Sequence, residues 1–177
     1  MITTDQNNAL RELCHDNARL IEQLISLLSR MTDLQYRQSQ APCDSGIGCH
    51  VRHVLDHYDV FFDGLRSGTI DYDGRCRDRG TETQRETATR RLARVASRFD
   101  ALADSPLPAE IGVIMDCGSR SVARSSVARE LQFLVSHTVH HDALIGAAAS
   151  HMGIALDPGY GVAPSTLRHL GQLQAQR

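Results

Sequence analysis

Two widely separated groups of histidines constrain most strongly how this chain can fold. The sequence GCHVRHVLDHY contains His50, His53 and His57, and SHTVHHDALIG contains His137 and His141. Two histidines four residues apart lie on one face of a helix, about 6 Å apart along its axis. One further histidine from a facing helix would complete a metal site with three nitrogen ligands. The pattern therefore favours a fold in which two helices face each other across a metal.

The composition fits one domain over residues 1–177 and excludes a nucleic-acid partner. Hydrophobic residues make up 41% of the 177 residues, which is enough to bury a core without disulfides. The formal net charge is −2, and the basic residues are all arginines scattered among acidic residues. Nucleic-acid binding requires a basic patch or stripe, and the sequence has none.

The cysteines and the N-terminus predict a soluble protein of a bacterial-type cytoplasm. The cysteines are odd in number and form no CxxC motif, which favours reduced thiols packed as small hydrophobic residues. The N-terminal sequence MITTDQNNALRELC lacks the basic and apolar segments of a signal peptide. No apolar run approaches the roughly 20 residues that a membrane span requires, so we expect no membrane partner. The five cysteines are Cys14, Cys43, Cys49, Cys76 and Cys117.

Hydrophobic periodicity predicts four long helices of about 20 to 27 residues. Thr4 or Asp5 is expected to cap the first helix, and Asp44 or Ser45 the second, which Gly68 closes. The second follows a polar connection, 35–44, that contains Pro42. The four helices are predicted at about 5–31, 45–67, 81–103 and 125–152.

The remaining segments predict small additions to an all-α four-helix bundle. Residues 111–115 and 121–123 flank a CGSR turn and could pair as a short β-hairpin between the third and fourth helices. Pro164 and Ser165 favour the start of a short C-terminal helix. Metal sites in such bundles are built from side chains on facing helices.

Helical-wheel positions separate some of the histidines from others. On the fourth helix, His137 and His141 lie inside or beside the apolar stripe, whereas His140 leaves it. On the second helix, His50, His53 and His57 all flank the apolar stripe. The spacing alone therefore does not select which of these three binds a metal.

The histidines also have an interpretation without a metal. A histidine beside an apolar face is often a hydrogen-bonded core or boundary residue, and HxxxH arises by chance in a histidine-rich chain. In that case the protein is a plain helical bundle. A second imidazole cluster on another long helix favours the metal site.

The two histidine segments resemble signatures of the DinB-like superfamily, a group of bacterial four-helix-bundle metal proteins. GIGCHVRHVLDHYDVFF is similar to its helix-two signature, in which the ligand histidine follows an apolar and a variable residue, here Val51, Arg52 and His53. SHTVHHDALI resembles the late HxxxH helix, carried here by His137 and His141. The resemblance implies that His53, His137 and His141 bind one divalent metal and leave open positions for water or substrate.

The resemblance also implies a chemistry. Three neutral imidazoles suit zinc, nickel or iron(II), and a site with three protein ligands is typical of catalysis. Some relatives use a low-molecular-weight thiol as cosubstrate, so a thiol transferase or a hydrolase acting on a small molecule is expected. The alternative is a non-catalytic metal-binding or stress-associated bundle, in which His57 or His50 supplies a fourth ligand and closes the site.

The loop TIDYDGRCRDRG contains a second set of candidate binding residues. Tyr72, Arg75 and Arg77 could offer a phenol and two guanidinium groups to a carboxylate-bearing cosubstrate or substrate. Alternatively, the two arginines bridge nearby aspartates and fix the loop to the third helix. Close to the histidines, Asp56 and Asp142 could orient imidazole N–H groups or lie solvated on the surface.

A homodimer is the expected assembly. The first helix and the outer face of the fourth helix, which includes the small residues 147–149, offer apolar surface that could pack against a second copy.

Overall fold

Four long helices form the body of the protein, as the sequence predicts. The computed structural model describes residues 4–39, 45–116 and 120–175. The long helices are α1 (Thr4–Ser29), α3 (Gly46–Ser67), α5 (Arg85–Ala103) and α6 (Val127–His151), and the short ones are α2 (Asp33–Arg37), α4 (Arg79–Thr83) and α7 (Pro164–Ala175). Within these ranges no helix is long and apolar enough to cross a membrane. The four-helix bundle and the C-terminal helix are therefore confirmed.

The core lies between the four long helices, because each buries one apolar stripe. Helix α1 packs against α5 and α6, and α3 packs against α5 and α6. Fully buried side chains include Leu20, Ile21, Leu24, Leu27 and Leu28 of α1, Val51, Leu55, Tyr58 and Phe61 of α3, Leu92 and Phe99 of α5, and Leu131, Leu134 and Ile145 of α6. Packing of α3 on α6 is what brings the two histidine helices face to face.

Three of the four ends of the two histidine helices, α3 and α6, are capped as expected. Gly68 ends α3 in the left-handed conformation (φ 82°), and its N–H donates to the carbonyl of Gly64 at 2.8 Å. Ser126 caps α6 by accepting a hydrogen bond from the N–H of Arg129, and Gly153 follows its end with φ 75°. Ser45 precedes α3 but makes no capping bond with its side chain. The alternative caps and turn residues at 40–44, including Pro42 and Cys43, lie outside the described residues.

Two details of the helices differ from the sequence prediction. Helix α2 begins two residues before the predicted connection 35–44 and ends within it. It starts with a capping box between Thr32 and Gln35. The predicted helix 81–103 is two helices, because Gln84 is extended (φ −120°, ψ 99°) between α4 and α5. Asp78 caps α4 through the N–H groups of Gly80 and Thr81 and so fixes the end of the preceding loop.

A three-stranded sheet lies beside the bundle. The predicted hairpin is present as β2 (Glu110–Asp116) and β3 (Arg120–Ser126), which pair antiparallel. A short strand that the sequence does not reveal, β1 (Thr69–Ile70), pairs in parallel with β2 directly after α3. The sheet therefore holds the loop that follows β1 close to the start of α6. Cys117 lies outside the described residues.

Most of the small residues of α6 that the sequence suggests for a dimer surface face the core of the chain. Ala148 and Ala149 are buried within the chain itself, and Ala147 is exposed. Two of the three alanines are therefore unavailable to a second copy, because α1 and the other core helices already cover that side of α6. Of the described cysteines, Cys14 is buried and Cys76 is exposed.

Candidate metal centre

Histidines from α3 and α6 converge at one point between the two helices. One ligand atom each from His53, His57 and His137 lies within 4.8 Å of the others. The ring of His141 is close as well, with its centroid 4.7 Å from that of His53 and 4.6 Å from that of His137. The rings of the three histidines that the resemblance implies as ligands therefore lie close together. The group whose ligand atoms lie within 4.8 Å of one another, however, contains His57 in place of His141.

The two other histidines near the cluster differ in position. His50 lies behind His141, with the Nδ1 atoms of the two rings 3.0 Å apart. Its Nε2 atom is 3.2 Å from the hydroxyl of Ser45. His140 is exposed on α6, which agrees with its place outside the apolar stripe. The rings of His50 and His140 both lie with their centroids 5.2 Å from that of His141, but only His50 shares a hydrogen bond with it.

His57 is buried, and both of its ring nitrogens have partners. Its Nδ1 lies 2.8 Å from the carbonyl oxygen of His53, and its Nε2 lies 3.1 Å from Nη1 of Arg75. The ring stacks on that of His137 with centroids 3.9 Å apart. The helical wheel cannot separate His57 from its neighbours on α3, because the partner that distinguishes it comes from a loop.

Burial lowers the pKa values of the clustered imidazoles and keeps them neutral. The pKa of His137 falls to about 2 and that of His141 to about 3, because burial and then the neighbouring imidazoles disfavour the charged form. The pKa values of His53 and His57 fall to about 4, again mainly through burial. At neutral pH each ring therefore carries a lone pair that a metal can use.

A buried nitrogen without a partner favours a metal at this cluster. Nδ1 of His137 is buried and has no hydrogen-bond partner among the described residues. A buried polar atom without a partner costs free energy, so such atoms call for an explanation such as an ion. Neutral imidazole nitrogens are ligands that zinc and other divalent transition metals prefer. The donor set and the unpaired nitrogen both suit a divalent metal.

The carboxylates next to the histidines do not orient imidazoles in this structure. Asp56 is buried and forms ion pairs with Arg52 at 3.3 Å and Arg91 at 3.7 Å. Asp142 is fully buried and accepts a hydrogen bond from the hydroxyl of Tyr160 at 3.3 Å. Burial raises the pKa of Asp142 to about 8, so this carboxyl group is largely protonated at neutral pH. Arg52 lies one helical turn before Asp56 on α3, whereas Arg91 and Tyr160 come from other segments of the chain.

The loop after β1 covers one side of the cluster. The ring of Tyr72 lies over that of His57 with centroids 5.5 Å apart, and its hydroxyl donates to the buried carboxylate of Glu130 at 3.0 Å. Arg75 reaches His57 from the same loop. Arg77 is exposed, with φ 51°. Two of the three predicted binding residues therefore lie beside the histidines, and the third faces outward.

The aspartates of this loop have partners other than Arg75 and Arg77. Asp71 forms an ion pair with Arg120 of the hairpin. Asp78 caps α4 and lies 3.5 Å from Arg91 of α5. The bridges that the sequence suggests between the two loop arginines and these aspartates are therefore not formed among the described residues.

A cavity of about 270 Å³ lies between the hairpin and α6, next to the histidine cluster. Phe133 forms part of its wall, with its ring centroid 5.7 Å from that of His137 and 5.0 Å from that of Tyr72. A larger cavity of about 660 Å³ lies between the start of α1 and the end of α5. Among the described residues neither cavity has a histidine in its lining, but only the smaller one is lined by Tyr72 and Phe133, whose rings contact the histidine cluster. The smaller cavity is lined by Tyr72, Val113, Met115, Ala123, Arg124, Ser125, Arg129, Glu130 and Phe133.

Comparison with known proteins gives a family, a partial relative and a fold. A family model described as the DinB superfamily matches residues 17–145. FK506-binding protein 5 from Rhizopus delemar is 29% identical over 105 residues, which cover 57% of this chain but only 27% of that relative's length. YfiT from Bacillus subtilis is described as a probable metal-dependent hydrolase with an unusual four-helix bundle topology. Its structure superposes on this one with a TM-score of 0.63 at 17% sequence identity. The match covers 88% of this chain and 92% of YfiT. At that identity the likeness shows the fold alone.

Proposed function

The chain belongs to the DinB superfamily, and we propose that it is a metal-dependent enzyme that activates water or a thiol to react with a small molecule. The observation that carries the proposal is the convergence of neutral imidazoles from α3 and α6 at one point. The proposed ligands are His53, His137 and His141, and the metal is one divalent zinc, nickel or iron ion. When bound, such a metal lowers the pKa of a coordinated water or thiol and supplies a nucleophile near neutral pH.

The surrounding residues bind and orient the reactants in this proposal. The cavity beside Phe133 and Tyr72 would hold the apolar part of the small molecule, since both rings lie against the imidazoles. Tyr72 and Arg75 would contact the cosubstrate or substrate at the metal, and Arg77 would contact it at the outer edge of the loop. A guanidinium has five N–H donors, so the bond of Arg75 to His57 leaves others for an anionic group.

The choice between water and thiol is open to a direct experiment. The protein is stripped of metal, loaded with one equivalent of Co(II), and titrated with 2-mercaptoethanol while the absorption spectrum is recorded. A sulfur-to-cobalt charge-transfer band that is absent from the chelated protein supports the thiol transferase. Absence of the band, together with metal-dependent hydrolysis of p-nitrophenyl acetate that His137→Ala abolishes, supports the hydrolase. A protein that binds no Co(II) contradicts both.

A second candidate function is metal binding without turnover. Its support is the position of His57, since a nitrogen of this ring is close enough to His53 and His137 to share an ion. A fourth protein ligand would close the site, which is typical of structural or storage sites. Binding of a small anion such as azide to the Co(II) protein would contradict this candidate, because a closed site has no exchangeable position.

We also propose that the protein acts in the cytoplasm as a homodimer. The exposed thiol of Cys76 and the half-buried thiol of Cys49 suit a reducing compartment. Support for a dimer rests on exposed apolar side chains, among them Leu34 and Val122. Light scattering at micromolar concentration tests it, and a monomeric mass would contradict it.

A further inference from the structure

The hydrogen bonds of His57 determine which of its nitrogens can bind a metal. A carbonyl oxygen can only accept, so Nδ1 of His57 carries the ring hydrogen and donates to His53. In a neutral imidazole the other nitrogen then bears the free lone pair. The Nε2 atom is therefore the one position through which His57 could coordinate a metal.

Arg75 uses that same lone pair. Its guanidinium has only donors, so the 3.1 Å contact between Nη1 and Nε2 of His57 is a hydrogen bond from the arginine to the histidine. A nitrogen lone pair cannot accept this bond and coordinate an ion at once. The bond to Arg75 and coordination by His57 therefore exclude each other.

Contacts at several points along the loop that follows β1 hold Arg75 beside His57. Before Arg75, the carboxylate of Asp71 accepts hydrogen bonds from the N–H groups of Asp73 and Gly74 and pairs with Arg120. The hydroxyl of Tyr72 binds Glu130 of α6, and Asp78 caps α4 after Arg75. The paired sites lie on the hairpin, α6 and α4, so the loop is fixed against three separate elements.

We propose that Arg75 keeps the metal centre open by holding His57 away from the metal. With Arg75 in place, three histidines bind the ion and at least one position stays free for water or a thiol. Without Arg75, Nε2 of His57 becomes a fourth ligand and closes the centre. Arg75 is thus a positioning residue that acts through His57, and the inference rests on the metal site of the proposed function.

The test compares Co(II)-loaded wild type with Arg75→Ala by titration with sodium azide, an anion that binds only at an open position. Wild type is expected to change its visible Co(II) spectrum with azide. Arg75→Ala is expected to lose that change and to bind Co(II) at least about tenfold more tightly, because a fourth nitrogen is added. Arg79→Ala removes an exposed arginine from the adjacent helix α4 and is the matched control, with a wild-type response expected.

The double variant Arg75→Ala/His57→Ala separates this effect from damage to the fold. Removing His57 as well takes away the fourth ligand, so the azide response is expected to return. If Arg75→Ala keeps both the wild-type azide response and the wild-type Co(II) affinity, or if the double variant stays unresponsive to azide, the role of Arg75 is contradicted while the metal site stands. A wild-type protein that binds no Co(II) overturns the proposed function and this inference together.

Discussion

The Nδ1 atoms of His50 and His141 lie 3.0 Å apart, so these two histidines share a hydrogen bond between α3 and α6. One of the two nitrogens carries the hydrogen, and the bond fixes the orientation of the His141 ring. Histidine ligands in metal sites commonly use their second ring nitrogen in this way, which leaves Nε2 for the ion. His50 is in turn held by Ser45 through its own Nε2.

This relationship predicts that His50→Ala weakens metal binding without abolishing it. Loss of an outer hydrogen-bond partner of a metal ligand lowers the affinity by about 10- to 100-fold. The affinity is measured by competition with a chromophoric chelator, with His15→Ala, at an exposed histidine of α1, as control. Complete loss of binding in His50→Ala would show instead that His50 is itself a ligand.

The stability of the metal-free protein is predicted to fall as the pH falls from about 6.5 to about 4. The pKa values of the four clustered histidines, of which His57 is buried and the others are half-buried, lie at about 4 or below in the folded state. The unfolded chain therefore binds more protons in this range. Protons then favour unfolding. Asp142 and Asp56, whose pKa values burial raises, act in the opposite direction, but two carboxyl groups oppose four imidazoles.

Melting temperatures in the presence of a chelator test this prediction. The Tm is expected to decrease at each step from pH 7 to pH 4.5, and less steeply in His137→Gln than in wild type. A Tm that is constant or rises over this range would contradict the burial of neutral imidazoles.

Gly48→Ala is predicted to destabilise the protein by more than about 2 kcal/mol, because overpacking forces the backbone apart. A Cβ at this position would overlap the carbonyl oxygen of Glu82 in α4 and lie 2.9 Å from the ring of Tyr36. Gly171→Ala is the control, since a Cβ there meets nothing within 4 Å and alanine favours the helix by up to about 1 kcal/mol. Urea unfolding measures both changes, and equal stabilities would contradict the close contact of α3 with α4.

Tyr72→Phe is predicted to cost about 1 to 3 kcal/mol, because the buried carboxylate of Glu130 loses a hydrogen-bond donor. The hydroxyl of Ser125 still donates to Glu130, which limits the loss. Arg66→Ala breaks an exposed ion pair with Asp63 and should change the stability by less than about 0.5 kcal/mol. If Tyr72→Phe unfolds in urea like wild type, Tyr72 does not hold the loop.

The sequence predicts the large elements because they depend on local periodicity. The apolar stripes of α1, α3, α5 and α6 repeat at helical spacing, and Gly68 marks the end of α3 at the correct residue. The strand Thr69–Ile70 could not be predicted, since two residues carry no periodicity and their partner strand begins some forty residues later. The capping box between Thr32 and Gln35 was a local signal that could have revealed α2.

The candidate site is predictable only in part, for the same reason. Spacing places His137 and His141 on one face of α6, and the structure places both in the cluster. On a helical wheel the three histidines of α3 all flank the apolar stripe, so only their hydrogen-bond partners distinguish them. His50 is bonded to His141, and His57 is bonded to Arg75. These partners lie on another helix and in a loop, so the sequence order of α3 does not contain them.

We expect His53 of α3 and His137 and His141 of α6 to hold one divalent metal. Equilibrium Co(II) titration of wild type and of the three single alanine variants tests this expectation, with His15→Ala as control. We predict one ion per chain in wild type and His15→Ala, and an affinity at least about 100-fold lower in each ligand variant, since even the loss of an outer hydrogen-bond partner lowers the affinity by about 10- to 100-fold. Wild-type affinity in any one of His53→Ala, His137→Ala and His141→Ala would show that this histidine is not a ligand.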